Sequence, residues 1–226
     1  MQYQLSIDID SKGLSAIYAA GQTVTLVKSV TSNPVASGNL PVAWLAFSPL
    51  QTNIVTWIEN YSIYASTTQL QSGATIMMTS VTPSSVQPGW TYTLQNGSFT
   101  GASGGGASTF NALNQMNTYP FNFGLAQQAY VNNVQTTAPL NAVPVLYTQT
   151  ASFTPIETIS VFLSSYTNNG VVISQVAGNA LTVQLTSQSP SATIGFNDAT
   201  NQFYLNNPSP TMFGAEDFAK RLTLPA

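Results

Sequence analysis

Alternation with a period of two runs through most of this chain. In the first ten residues Leu5, Ile7 and Ile9 alternate with Ser6, Asp8 and Asp10. Further on, Val24, Leu26 and Val30 share one face that Lys28 interrupts, with Thr23, Thr25 and Val27 opposite. Successive side chains point to opposite faces only in extended backbone, so each such run predicts a half-buried strand. The same reading gives strands over 41–48, 53–59, 61–66, 74–80, 90–95, 121–131, 143–150, 158–164, 170–176, 180–187, 192–196 and 202–205. Most are rich in Val, Ile, Thr, Tyr, Phe or Trp. Asn96-Gly97, Asn169-Gly170, Gly178-Asn179 and Pro88-Gly89 supply turns between them. Many short strands at regular spacing predict an all-β fold: one antiparallel β-sandwich domain over 1–226, of jelly-roll or Greek-key type. Helix is expected at Lys12 to Ala20, for one or two turns, and at Ala215 to Leu222. The latter has acids at its start and bases at its end, which suits the helix dipole. Gly101 to Ser108, GASGGGAS, has little side chain to pack and predicts a flexible loop.

The surface of such a fold must be nearly uncharged. Asp, Glu, Lys and Arg make up 5% of the chain, against about a quarter in ordinary soluble domains, and none lies between Glu59 and Glu157. The polar surface therefore falls to Ser, Thr, Asn, Gln and Tyr. Only Lys12, Lys28, Lys220 and Arg221 are basic. Nucleic-acid binding needs several cationic contacts to displace counterions, so it is excluded as a partner class, as is adhesion to anionic lipid. Cysteine and histidine are absent. Disulfides, thiolate or imidazole metal sites and the Ser-His-Asp triad go with them. No cofactor motif is present. Gly104-Gly105-Gly106 lacks the lysine and the strand-to-helix setting of a phosphate loop. Asp8-Ile9-Asp10-Ser11-Lys12-Gly13 matches half of a calcium loop but has Lys12 and Ala19 where ligands belong. It reads as strand followed by turn. The N-terminus has no signal-peptide pattern, so the sequence as it stands reads as synthesised without a leader; its location is left open, and work outside the cell would require lysis, a leaderless route or a leader already removed.

Two features bear on function. The aromatic segment Val55 to Tyr64 contains Trp57, Glu59, Asn60 and Tyr61. Alternation places Ile54, Thr56 and Ile58 on one face and Val55, Trp57 and Glu59 on the other. Trp44 lies in a strand apolar on both faces and is expected to be buried, Trp57 and Tyr61 to be exposed. An indole beside a carboxylate suits a sugar, stacking on its C–H face while the acid accepts hydroxyl hydrogens. Trp57, Glu59, Asn60 and Tyr61 are thus the candidate ligand-binding residues, against a plain reading of the aromatics as core. Glu59 and Glu157 are the only acids of the central region, and two carboxylates in one cleft are the equipment of glycoside hydrolysis.

Three functions follow. The first is a non-enzymatic, lectin-like or cell-surface protein of defence or cytolytic type, homo-oligomeric, with a glycan or cell surface as partner. The second is a self-assembling structural subunit of a filament, capsid or surface layer. The third is a glycosidase using Glu59 and Glu157. Stability is expected to be flat from about pH 6 to 9, because no His or Cys titrates there. Trypsin is expected to leave 29–220 of the denatured chain as one fragment, since its sites lie only at 12, 28, 220 and 221. Chymotrypsin has many sites, and resistance of the native chain to it checks for tight packing.

Overall fold

A computed structural model describes residues 1–34, 40–83, 85–117, 120–173 and 180–206. The chain is mostly β. In order the strands are β1 Gln2–Asp8, β2 Thr23–Asn33, β3 Val42–Ala43, β4 Leu45–Phe47, β5 Thr52–Ser66, β6 Ser80–Val81, β7 Trp90–Gln95, β8 Ser98–Ser103 and β9 Phe110–Asn114. There follow β10 Phe121–Val131, β11 Val134–Pro139, β12 Val143–Val145, β13 Thr150–Ser164, β14 Val171–Val172, β15 Leu181–Gln184, β16 Ser191–Asn197 and β17 Gln202–Leu205. Among the described residues one helix, α1 Ser11–Ala19, follows β1. Asp10 starts it, its carboxylate accepting the Gly13 N–H at 2.7 Å. The second half of the calcium-loop resemblance is thus an N-cap, which satisfies a helix donor left without a backbone partner.

The strands form an eight-stranded sheet, ordered β11-β10-β5-β1-β16-β17 with β12 and β6 at its flanks. A seven-stranded sheet is ordered β4-β2-β13-β9-β7-β8, with β15 on β13, and β3 and β14 form a small ribbon. None closes into a barrel. A purely antiparallel arrangement was expected and is corrected here. β1 pairs with β16, and β7 with β9, in parallel. Neither pair is joined by a tight hairpin, and alternation within a strand carries no information about the direction of its neighbour. Side chains of both large sheets enter one hydrophobic cluster, among them Leu5, Val55, Trp57, Phe123, Leu26, Phe153 and Val161. The second predicted helix lies outside the described residues.

Several boundaries moved for physical reasons. The two candidates at 53–59 and 61–66 are one long strand. Strands β8, β9 and β11 have weak β-propensity of their own and exist through their pairing with β7, β13 and β10. The Gly-rich segment contributes to one of them, since Gly101 to Ser103 end β8. A Cβ at Gly101 would sit 2.7 Å from the ring of Tyr92. Its glycine therefore makes room for an aromatic side chain on the partner strand.

Gly124 has a similar role deeper in the sheet. An added Cβ would fall on the Asn141 carbonyl oxygen and 2.8 Å from the Tyr64 hydroxyl. That hydroxyl donates to the same carbonyl. Gly124→Ala is expected to lose about 1–3 kcal/mol through this overpacking, read as a lower midpoint in urea.

Candidate functional site

Two of the chain's few carboxylates sit at irregularities in the sheets. On β5, Trp57 pairs with Ala129 and Tyr61 with Gln127, so between these two pairs three residues of β5 run against one of β10. On β13, Pro155 pairs with Val30 and Ile159 with Lys28, again three against one. Glu59 stands at the middle of the first bulge and Glu157 at the middle of the second. A bulge breaks the ladder and re-aims side chains, which lets a carboxylate leave the ordinary alternation.

Lys28 answers them from β2. It is 1% exposed and its ammonium lies among three aromatic rings, 5.7 Å from the centre of Trp44, 5.6 Å from Trp57 and 5.2 Å from Tyr61. All three of its protons have acceptors: Glu157 Oε1 at 2.6 Å, Gln127 Oε1 at 2.8 Å and Tyr61 Oη at 3.3 Å. Glu157 also accepts from Tyr61 Oη at 2.8 Å and from Trp57 Nε1 at 2.8 Å. Gln127 in turn donates its Nε2 to the Ile58 carbonyl, 2.6 Å away in the β5 bulge. Trp44 donates to the Gln127 main-chain oxygen at 3.3 Å. Tyr3 stacks on Trp57 and donates to Glu59 Oε1 at 2.6 Å. The cluster thus ties β2 and β13 of one sheet to β5 and β10 of the other.

Burial pushes the Lys28 ammonium down from 10.5 to about 8, against the attraction of Glu157. Burial, with Glu157 close by, pushes the Tyr61 hydroxyl up, and burial with the Glu59 hydrogen bond does the same to Tyr3.

This geometry corrects part of the sequence reading. Trp57 is 2% exposed and Tyr61 5%, so the expectation that they are exposed is wrong. Trp44 is buried as expected. Glu59 and Asn60 are exposed at the bulge. Trp57 and Glu59 were placed on one face by alternation, and the bulge separates them. Glu59 and Glu157 do border one cluster, Glu59 through Tyr3, which stacks on Trp57, and Glu157 through Trp57 Nε1. Glu157 is engaged by three donors, an arrangement that fixes it as a strut between strands. Lys28 and Gln127 were not singled out as site residues. The available signal was a lone cation on the apolar face of Val24, Leu26 and Val30.

A second feature lies elsewhere, beside the β10–β11 hairpin. An open depression of about 430 Å³ is bounded by β4, by that hairpin and by Asn169. Leu45, Phe47 and Val131 with the more exposed Leu50 and Val134 give it an apolar lining, and Ser48, Asn132, Gln135, Thr136 and Asn169 give it amides and hydroxyls. Asn169 holds Ala46 N–H and Thr136 Oγ1, so it fixes the two walls together. No charged side chain lines it.

Two outcomes are expected at the buried cluster. Glu157→Ala leaves a buried cation without its counter-charge and should cost about 3–5 kcal/mol, whereas the pair Lys28→Met with Glu157→Leu should fold with much less loss. Denaturant midpoints of the single and double variants check this. The flat pH profile is also revised. Between about pH 8 and 10.5 the unfolded chain holds the Lys28 proton that the folded chain has released, so stability rises with pH there. Tyr3 and Tyr61 act in the opposite direction only above about pH 10, where their unfolded hydroxyls ionise. With the Lys28 amine free, melting temperature should therefore rise from about pH 8 to about pH 9.5, and Lys28→Met should remove the rise.

No family model, no curated protein and no solved structure matches this chain.

Proposed function

We propose that this is a non-enzymatic binding protein for neutral, hydroxyl-rich ligands such as the glycans of a cell surface, built on a two-sheet β-sandwich. The observation that carries the reading is the uncharged depression beside the β10–β11 hairpin. Sugars present hydroxyls for amide and hydroxyl partners and C–H faces for apolar ones, and this surface offers both without a charge. Gln135 is exposed and Val134 is 69% exposed, a large apolar side chain left in water at the rim. Tyr130 donates to Gln135 Oε1 at 3.2 Å and is itself partly exposed, extending the polar rim across the outer face of the sheet. The ligand surface in this reading is not the Trp57–Tyr61 segment, because those rings support the core.

A self-assembling subunit is the second reading, and β8 favours it. It is an edge strand of six residues, Ser98–Ser103, with no charge and no proline. Natural edges are usually protected by such residues, and this one is open to pairing with another chain.

A glycan array with the full chain is expected to give specific hits whose affinity changes little between low and high salt. Gln135→Ala should weaken them about five- to tenfold, the worth of one net hydrogen bond of roughly 1 kcal/mol. An array without hits, or hits indifferent to Gln135 and Val134 changes, would remove the glycan reading. Light scattering that shows growth with concentration, stopped by Thr100→Lys, would instead support assembly through β8.

A further inference from the structure

We infer that Lys28 and Gln127 form an intramolecular isopeptide bond, with Glu157 as the proton carrier, joining the two sheets covalently. The inference is independent of the glycan reading. It rests on the meeting of an amine, a carboxamide and a carboxylate in one dry space. Lys28 Nζ lies 2.8 Å from Gln127 Oε1 and 2.6 Å from Glu157 Oε1. Gln127 is 0% exposed and the Lys28 side chain likewise. Neither side chain can swing away. Gln127 is anchored through Nε2 to the Ile58 carbonyl, and Lys28 is packed among the rings of Trp44, Trp57 and Tyr61. The amine is thus held against the carboxamide, and no bimolecular encounter is needed to bring the two together.

The chemistry balances without any further reagent. Glu157 takes one proton from the ammonium and leaves a neutral amine. The Nζ lone pair attacks Gln127 Cδ, and the carbonyl π pair moves to Oε1. The tetrahedral centre then collapses, the carbonyl re-forms and the Cδ–Nε2 bond breaks. The two protons that Nζ sheds in becoming an amide N–H pass to Nε2, one of them by way of Glu157, and Nε2 departs as ammonium. No electron donor or acceptor is needed. The environment favours the first step, because burial pushes the ammonium down to about 8 and makes neutral amine accessible near neutrality. Trp57 Nε1 and Tyr61 Oη hold Glu157 in position to carry protons. Besides Glu157, the titratable groups around the amine are Tyr61 and, farther off at the exposed side of the cluster, Glu59, which Tyr3 holds; both tyrosines keep their protons. Acylated Lys28 carries no charge. The rise of stability with pH therefore belongs to the unlinked chain and would be seen in Gln127→Met.

The test is digestion of the purified, denatured chain with trypsin, followed by mass spectrometry. Trypsin does not cut after an acylated lysine. The linked chain is expected to weigh one ammonia less than its sequence and to keep residues 13–28 covalently attached to the rest. Ammonia loss alone is insufficient, because imide formation at Asn96-Gly97 or Asn169-Gly170 gives the same mass. Lys28→Arg should restore both the full mass and cleavage at position 28. Glu157→Gln should leave Lys28 and Gln127 unlinked, with circular dichroism reporting whether that variant folds. Full mass in the wild-type chain, with residues 13–28 released as a free peptide, would overturn the inference whatever the variants do. It would also fall if Lys28→Arg kept the ammonia loss, and Glu157 would lose its role if Glu157→Gln formed the bond in equal yield.

Discussion

A cation inside an apolar core dictates much of what surrounds it. Taking an ammonium out of water costs several kcal/mol even after relaxation, and the cost is met only by complete pairing and good geometry. Around Lys28 that requirement recruits a carboxylate, a carboxamide, a phenol and three aromatic faces. Cation–π contacts add about 2 kcal/mol or more when desolvated. The partners come from β5, β10 and β13 and meet only when both sheets are in register. One misplaced strand would leave a buried charge unsatisfied. The cluster thus selects against wrong pairings as well as contributing to the right one.

The two bulges are the local devices that make this possible. A regular β13 would alternate its side chains without interruption, and a regular β5 would keep Glu59 on the face of Trp57. Inserting two residues in each strand sends Glu157 toward Lys28 and brings Glu59 to the phenol of Tyr3. Gln127 closes the arrangement, because its amide satisfies the Ile58 carbonyl that the β5 bulge takes out of the ladder. Strain of pairing and satisfaction of charge are therefore solved by the same residues.

Beyond this cluster the molecule works almost without charge. Polar contacts between distant segments are amide and hydroxyl contacts, as in Asn114 to Val145, Asn111 to Trp90 and Ser160 with Thr182. Such groups hydrogen-bond without the desolvation cost of ions, and they leave surfaces that salt does not screen. The depression by the β10–β11 hairpin and the β8 edge are both made in this way. Among the described residues one ionic contact lies on the surface, Lys12 with Asp198, which ties α1 to the turn after β16 and is too exposed to matter greatly.

By itself the sequence determined the β character, the near absence of charge and the few tryptic sites, because these depend on period and composition alone. Strands β7, β10 and β17 fall at their predicted limits, where propensity, alternation and turn residues agree. The sequence also displayed Lys28 as an anomaly on an apolar face. Only the tertiary structure decided what that anomaly meant. Its partners stand 99 and 129 residues away, and parallel pairing of β1 with β16 joins segments almost as far apart as the described chain allows. Alternation reports the direction of a side chain relative to its neighbours in one strand. A bulge resets that direction, and the sheet a strand joins is settled by packing against distant residues. For this reason Trp57 and Tyr61 looked exposed in the sequence and are core in the fold.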